Sequence, residues 1–390
     1  MAENLSSQPA AMELVVDTPA QTSSFSTRTQ TNLSAIFARR IKHSLSSILT
    51  RFHAGYFRIS LSLGGQALLW KTLIGPTDDR GTLRHVLHML VHPMAFLVLW
   101  SFALSTLVLL SLLYMLRCLF YFKMVKAEFL HHVGVNYLFA PWISGLLLLQ
   151  SAPFLTPTTT SYLVLWWVFA VPVVVLDVKI YGQWFTKGKK FLSTVANPTS
   201  QISVIGNLVG AQAAAHMGWK ESAVCLFSLG MVHYLVLLVT LYQRFSGSDK
   251  LPAMLRPVFF LFFAAPSVAS LAWESITGAF DTASKMLFFL SLFLFTSLVC
   301  RPALFRRSMR RFNVAWWAYS FPLTILALAS TEYAEEVKGS ISHLLMLLLL
   351  ALSVLVSVGL TIFTLINTRM LLPDNDPIAG LQYHLPTVSA

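Results

Sequence analysis

NVAWWAYSFPLTILALASTEYA, residues 313–334, is apolar over a length that can cross a membrane, yet it carries Phe321-Pro322 near its middle. Proline in a helix interior removes a backbone donor and crowds the preceding turn, at a cost of about 3 kcal/mol. Such backbone is tolerated at membrane depth where it is buried in protein or lines a water-filled cavity. The stretch therefore reads as an inner helix of a membrane protein, with Pro322 as its kink and the Phe321 ring offered to an axis.

The surrounding chain agrees. Of 390 residues, 56% are hydrophobic and 11% charged, against about 25% charged in soluble domains. Apolar runs near 54–72, 92–116, 134–153, 161–181, 200–218, 221–242, 255–273, 283–301, 313–333 and 342–368 give ten candidate spans. The fold class expected is an all-α polytopic membrane protein, ten transmembrane helices arranged as five helical hairpins around a central pore. The opening residues are polar and Ser/Thr-rich, without the apolar core of a cleavable signal.

Charge orients the stack. The loops after the second, fourth, sixth and eighth spans carry Arg117, Lys123 and Lys126, then Lys187, Lys189 and Lys190, then Arg244, Lys250 and Arg256, then Arg301, Arg306, Arg307, Arg310 and Arg311. The opposite loops are short and neutral or acidic, as in TEYAEEVKGS at 331–340. The positive-inside rule places both termini in the cytoplasm, which leaves the Asn4 and Asn32 sequons unused. The net charge of +12 follows from this asymmetry, and no soluble segment is large enough to make it a nucleic-acid face.

The domain reading is a cytoplasmic tail over 1–52, a ten-helix membrane domain over 53–369 and a cytoplasmic tail over 370–390. Within the first, IFARRIKHSLSSILTRF spaces apolar residues helically among Arg39, Arg40, Lys42 and Arg51. This reads as a basic amphipathic helix, 36–52, on the lipid surface.

The odd-numbered spans share helix-weakening residues away from their ends: Gly64 and Gly65, Pro141, Gly206 and Gly210, Pro266, and Pro322. They recur at intervals of roughly 60 residues. Glycine and proline are enriched in membrane helices in general. The even spans carry such residues less regularly, Pro172, Gly230 and Gly359 being the exceptions, and the contrast points to five bent inner helices around a path, backed by five straighter outer ones.

Other chemistry is thin. Cys118, Cys225 and Cys300 lie in or beside apolar runs, without zinc or disulfide spacing. His85, His88 and His92 share a helical register, but Pro93 follows at once and no carboxylate or cysteine is near; no metal is expected. No nucleophile elbow, phosphate-binding glycine loop or carboxylate pair appears, so neither catalytic residues nor a cofactor is expected, and the chain does not read as an enzyme.

FAPW (139–142), KIYGQW (179–184), VANP (195–198), GNLVGA (206–211), HYLVLLVTLYQR (233–244), AAPS (264–267) and AWWAYSFPLT (315–324) together resemble the plant slow-type (S-type) anion channels. That family lies in a superfamily with bacterial tellurite-resistance and fungal dicarboxylate transport proteins. The resemblance implies a trimer in the plasma membrane, each protomer carrying its own pore. It also implies that a phenylalanine on the ninth helix, here Phe321, blocks the pore when closed. Two departures stand out: both tails are short beside those of long members, and Lys126-Ala127-Glu128 stands where long members read Lys-Arg-Glu.

No arginine or lysine cluster lies deep in the inner spans; Arg58 and Lys71 flank the first, and Asp177 and Lys179 stand near one end of the fourth. Conduction needs binding weak enough to permit exit. The expected path is thus a weakly polar tube of serine, threonine and kink backbone, fed with anions by the basic mouth at Lys126, Lys187, Lys189 and Lys190. Three functions compete: a chloride- or nitrate-conducting channel gated by Phe321; a regulatory subunit co-assembling with long-tailed homologues in mixed trimers; and a malate-type dicarboxylate carrier. A proton-coupled carrier calls for a titratable group near the midplane, and the sequence offers no convincing one, which favours the channel. The partners expected are inorganic anions, membrane lipid and related channel subunits.

Overall fold

The computed structural model describes residues 44–75, 92–187, 196–245, 253–306, 308–310 and 312–367. The chain divides into two compact units, 1–48 and 49–390. Of the first, residues 44–48 are helical; the rest of the expected amphipathic segment 36–52 up to residue 43, and the tail beyond 367, lie outside the described residues.

The second unit is all helical. Its principal helices, in chain order, are α1 (Arg58–Ile74), α2 (Pro93–Phe120), α3 (Ala140–Gln150), α4 (Thr160–Lys187), α5 (Gln201–His216), α6 (Lys220–Phe245), α7 (Leu261–Thr277), α8 (Thr282–Val299), α9 (Trp317–Val337) and α10 (Ser340–Ile366). Shorter helices, Phe122–Leu130 and Gly134–Tyr137, join α2 to α3. Each odd helix packs on the even helix that follows it. The odd helices also pack on one another in sequence, α1 on α3, α3 on α5, α5 on α7, α7 on α9, and α9 back on α1. Together they form a closed circuit.

Burial separates the two sets. The apolar window of α9 is 89% buried and that of α7 72%, whereas those of α2, α4, α6, α8 and α10 are 17–33% buried. The even helices turn Val98, Leu109, Leu112, Val175, Leu235, Val239, Phe293 and Leu355 outward, the composition of a lipid-facing surface.

Among the described residues, seven helices are long and apolar enough to cross a membrane, or eight if the pair Phe122–Leu130 and Gly134–Gln150, bent by 103°, counts as one span. The protein is therefore a multi-pass membrane protein. The sequence reading of ten spans exceeds this because α1, α3 and α5 run to only 17, 11 and 16 residues. At 1.5 Å per residue, 16 residues cover about 24 Å, short of a hydrocarbon core of about 30 Å. Helices walled in by protein need not match lipid thickness, and irregular backbone can complete them.

Tight turns precede three of the inner helices. His53, Asn197 and Asn313 each stand in extended backbone, and each side chain accepts the N–H of the residue two ahead. Each thereby caps a tight turn, Ala54–Phe57, Pro198–Ser200 or Val314–Trp316, that runs directly into α1, α5 or α9. A short acceptor at this position satisfies a donor that the helix start leaves orphaned. At the far ends, Gly218 and Gly278 take φ of +79° and +80°; the left-handed backbone costs glycine little and turns α5 and α7 sharply into α6 and α8.

Candidate functional site

The circuit of odd helices closes where α9 meets α1, and Phe321 sits at that seam. Its ring is 1% exposed. A Cβ built on Gly65 would stand 3.2 and 3.6 Å from two of its ring carbons and 3.6 Å from the Thr324 methyl. The absence of a side chain at Gly65 is what admits the ring. Pro322 lies inside a continuous α9; its lost hydrogen bond is borne by a helix buried on nearly every face. Ser62 of α1 donates to the Trp317 carbonyl at 3.1 Å, tying α1 to the turn below the proline. Trp317 donates its indole N–H to Thr364 Oγ1 of α10 at 3.0 Å.

One turn beyond the ring lies a polar knot that the sequence reading did not single out. Gln66 Nε2 donates to Thr324 Oγ1 at 2.9 Å and to Ser353 Oγ at 2.8 Å. Ser353 Oγ donates to Thr324 Oγ1 at 3.0 Å, and Thr324 donates to the Ser320 carbonyl at 2.9 Å. Gln66, Thr324 and Ser353 are 3%, 0% and 0% exposed. The available signal was a lone glutamine inside LGGQALLW at 63–70, since a polar side chain at that depth needs a partner. The partners lie 258 and 287 residues away, beyond any spacing argument.

The other expected kink residues serve close approach. Gly64 faces Leu147 Cβ at 3.4 Å and the Ser144 carbonyl at 3.5 Å, measured from its missing Cβ, and Ser60 and Ser144 share a hydrogen bond of 3.1 Å. Gly206 admits Val173 and Ile143, and Gly210 admits Leu226 and Leu146. Pro266 lies within continuous α7. Pro141 is the second residue of α3, where its missing N–H has no intrahelical acceptor to lose; the bend belongs upstream, between Phe122–Leu130 and Gly134–Gln150.

Of the basic mouth residues, Lys126 is exposed on the Phe122–Leu130 helix and Lys187 ends α4; Lys189 and Lys190 lie outside the described residues. The neighbouring Glu128 turns the other way. It is 1% exposed, accepts the Ala54 N–H at 2.7 Å and stands 3.8 Å from Arg117, itself fully buried. The acid of the Lys-Ala-Glu sequence thus ties the turn before α1 to the end of α2. Arg58 donates Nε to the Gly55 carbonyl at 2.8 Å and lies over the Tyr137 ring, and Lys71 donates to the Gln150 carbonyl at 2.7 Å.

His92 caps α2, accepting the Met94 N–H at 3.2 Å; His85 and His88 lie outside the described residues. Among the described residues, no group of three or more His, Cys, Asp or Glu side chains could hold a metal. A second polar region, a cavity of about 20 Å³ bordered by Asn136, Gln183, Ser200, Ser203 and His233, has room for a water.

Comparison with known proteins carries this geometry to a family. Residues 51–365 match the family described as SLAC1, voltage-dependent anion channel. The S-type anion channel SLAH1 of Arabidopsis thaliana is 60% identical over 336 residues, 86% of each chain. The guard cell S-type anion channel SLAC1 of the same plant is 44% identical, over 85% of this chain and 59% of its own length. The tellurite resistance protein TehA homolog of Haemophilus influenzae is 24% identical over 72% of this chain and 80% of its own.

Proposed function

The chain belongs to the voltage-dependent anion channel family of S-type channels, and from that premise we propose that it conducts chloride- or nitrate-like anions through a path inside the circuit of odd helices, gated by Phe321. It is a channel-family protein and not an enzyme. In this reading the ten helices all traverse the bilayer as five hairpins, α1 and α5 being completed by their capped turns and α3 by the short helix Gly134–Tyr137 before it. Both termini face the cytoplasm, and the protein acts as a trimer in the plasma membrane with a path in each protomer.

One observation carries the proposal: the Phe321 ring is seated on the bare backbone of Gly65, at the seam of the circuit. In this reading the seated ring closes the path and its displacement opens it. The odd helices, in the same topology, all begin at the basic cytoplasmic side. Helix N-termini carry about half a positive charge each, so their ends add a weak attraction for anions. In this reading the path beside the seat is weakly polar, with the Thr324 and Ser353 hydroxyls and the Gln66 amide close by, as suits a site that must release its ion.

The test is voltage-clamp current from the wild type and Phe321→Ala, with surface delivery measured for both. The expected result is a small wild-type current and a large anion current from the alanine form. If both reach the surface and neither conducts, the gate reading fails. Co-assembly with a long-tailed homologue then becomes the leading function, to be sought by co-purification.

A further inference from the structure

Phe321 could leave its seat by rotating or by carriage on a bending α9, and its neighbour over Gly65 is Thr324, one turn along the same helix. The Thr324 methyl and the Phe321 ring both face the same point over Gly65, so the ring and a methyl one turn further along its own helix share the space above the bare α1 backbone. The side-chain angle of Thr324 decides where that methyl points, and the hydroxyl fixes that angle. It donates once, to Ser320, and accepts twice, from Gln66 and Ser353. That exhausts a hydroxyl's one proton and two lone pairs. Turning the methyl aside breaks all three bonds at a site 0% exposed, where no water replaces them.

Gln66 is the member that reaches between helices. It lies on α1 beside Gly65, and its amide bonds both Thr324 on α9 and Ser353 on α10. The same amide also approaches the Ser353 carbonyl at 3.3 Å.

Resting on the gate reading, we infer that Gln66 is a positioning residue for the gate, a latch that holds Thr324, and through it Phe321, in the closed setting. The latch has no contact with the permeating ion. It biases the equilibrium between seated and displaced ring, and its loss favours the displaced one.

The experiment compares Gln66→Leu, Thr324→Val and Ser353→Ala, each alone and with Phe321→Ala, by chloride and nitrate current normalised to surface protein. Thr324→Val keeps the methyl and exchanges the hydroxyl for a second methyl, which cannot hydrogen-bond. Each single variant is expected to raise the current about fivefold, the population change that follows from losing roughly one net buried hydrogen bond. Gln66→Leu with Thr324→Val should give no more than either alone, because both cut one network. None should raise the current of Phe321→Ala. A merely structural role would lower delivered current in both backgrounds. The latch is overturned if Phe321→Ala conducts while the delivered single variants keep wild-type current, or if they raise current equally without the ring. A silent Phe321→Ala overturns the gate reading itself, and the latch falls with it by a separate route.

Discussion

Replacing Gly65 by alanine should open the pathway, and the size of the effect can be worked from the seat of the ring. The new Cβ would lie 3.2 and 3.6 Å from two Phe321 ring carbons and 3.6 Å from the Thr324 methyl. Carbon pairs are best separated by about 3.5–4.0 Å, so the ring must retreat by roughly 0.3–0.8 Å. The Gln66 knot leaves Thr324 little freedom to make room. Overpacking of a well-filled site costs typically about 1–3 kcal/mol. Alanine also favours the helix over glycine by roughly 0.5–1 kcal/mol, but that gain is the same with the ring seated or displaced and cancels between the two. Only the clash discriminates, and a bias of about 1–3 kcal/mol is a shift of about 5–150-fold in the ratio of states. Voltage-clamp current per surface protein reads it. Gly64→Ala is the control, since its Cβ meets Leu147 and Ser144 of α3 at 3.4 and 3.5 Å and not the ring. Current well above wild type for Gly65→Ala but not for Gly64→Ala, with no added effect on Phe321→Ala, is expected. Wild-type current from delivered Gly65→Ala, in a protein whose Phe321→Ala form conducts, would refute the reasoning: the ring would be accommodating the methyl without leaving its seat.

Two further outcomes concern stability. Gly145→Ala would set a Cβ 2.6, 2.7 and 2.8 Å from three ring carbons of Phe169, whereas a Cβ at Gly182 meets nothing within 4 Å; the first should lower the melting temperature in detergent and the second leave it unchanged or higher, and equal melting would contradict the packing of α3 on α4. Glu128→Gln keeps an acceptor for Ala54 but takes the carboxylate from buried Arg117, at a cost of about 3–5 kcal/mol, while exchanging both residues for apolar ones should recover most of it; thermal melting of the single and double variants checks this, and wild-type melting of the single would dismiss the pair as a structural tie.

The parts of this protein that were legible in its sequence are those in which one residue states its own environment. Phe321-Pro322 did so in part: α9 is the most buried of the candidate spans, but Pro172 stands inside α4, whose apolar window is only 33% buried, so a proline alone does not mark an inner helix. Pro141 shows the limit. In YLFAPWIS the flanks are apolar on both sides, so composition cannot distinguish a proline inside a helix from one that opens it. The bend came from the break between Phe122–Leu130 and Gly134–Gln150. Gln66 marked itself as polar at depth, but its partners belong to helices hundreds of residues on, and only the return of α9 to α1 brings them together.

The inner helices are harder to delimit from sequence for a related physical reason. Apolarity reports transfer into lipid, so it finds α2, α4, α6, α8 and α10 without difficulty, since those helices turn their apolar faces outward. A helix whose neighbours are other helices answers to packing instead, and its sequence fills with glycine, alanine and serine, as in α5. Such residues let backbones approach closely and need not span the hydrocarbon thickness by themselves. At the entries to these helices the sequence does speak: His53, Asn197 and Asn313 adopt nearly the same extended backbone, with φ of −140°, −144° and −151°, and cap the same kind of turn before α1, α5 and α9. Three recurrences of one capping device, each at the entry to an inner helix, identify the repeating unit of this fold more directly than the prolines do, because a cap is defined by where a helix begins while a proline is compatible with either its start or its middle.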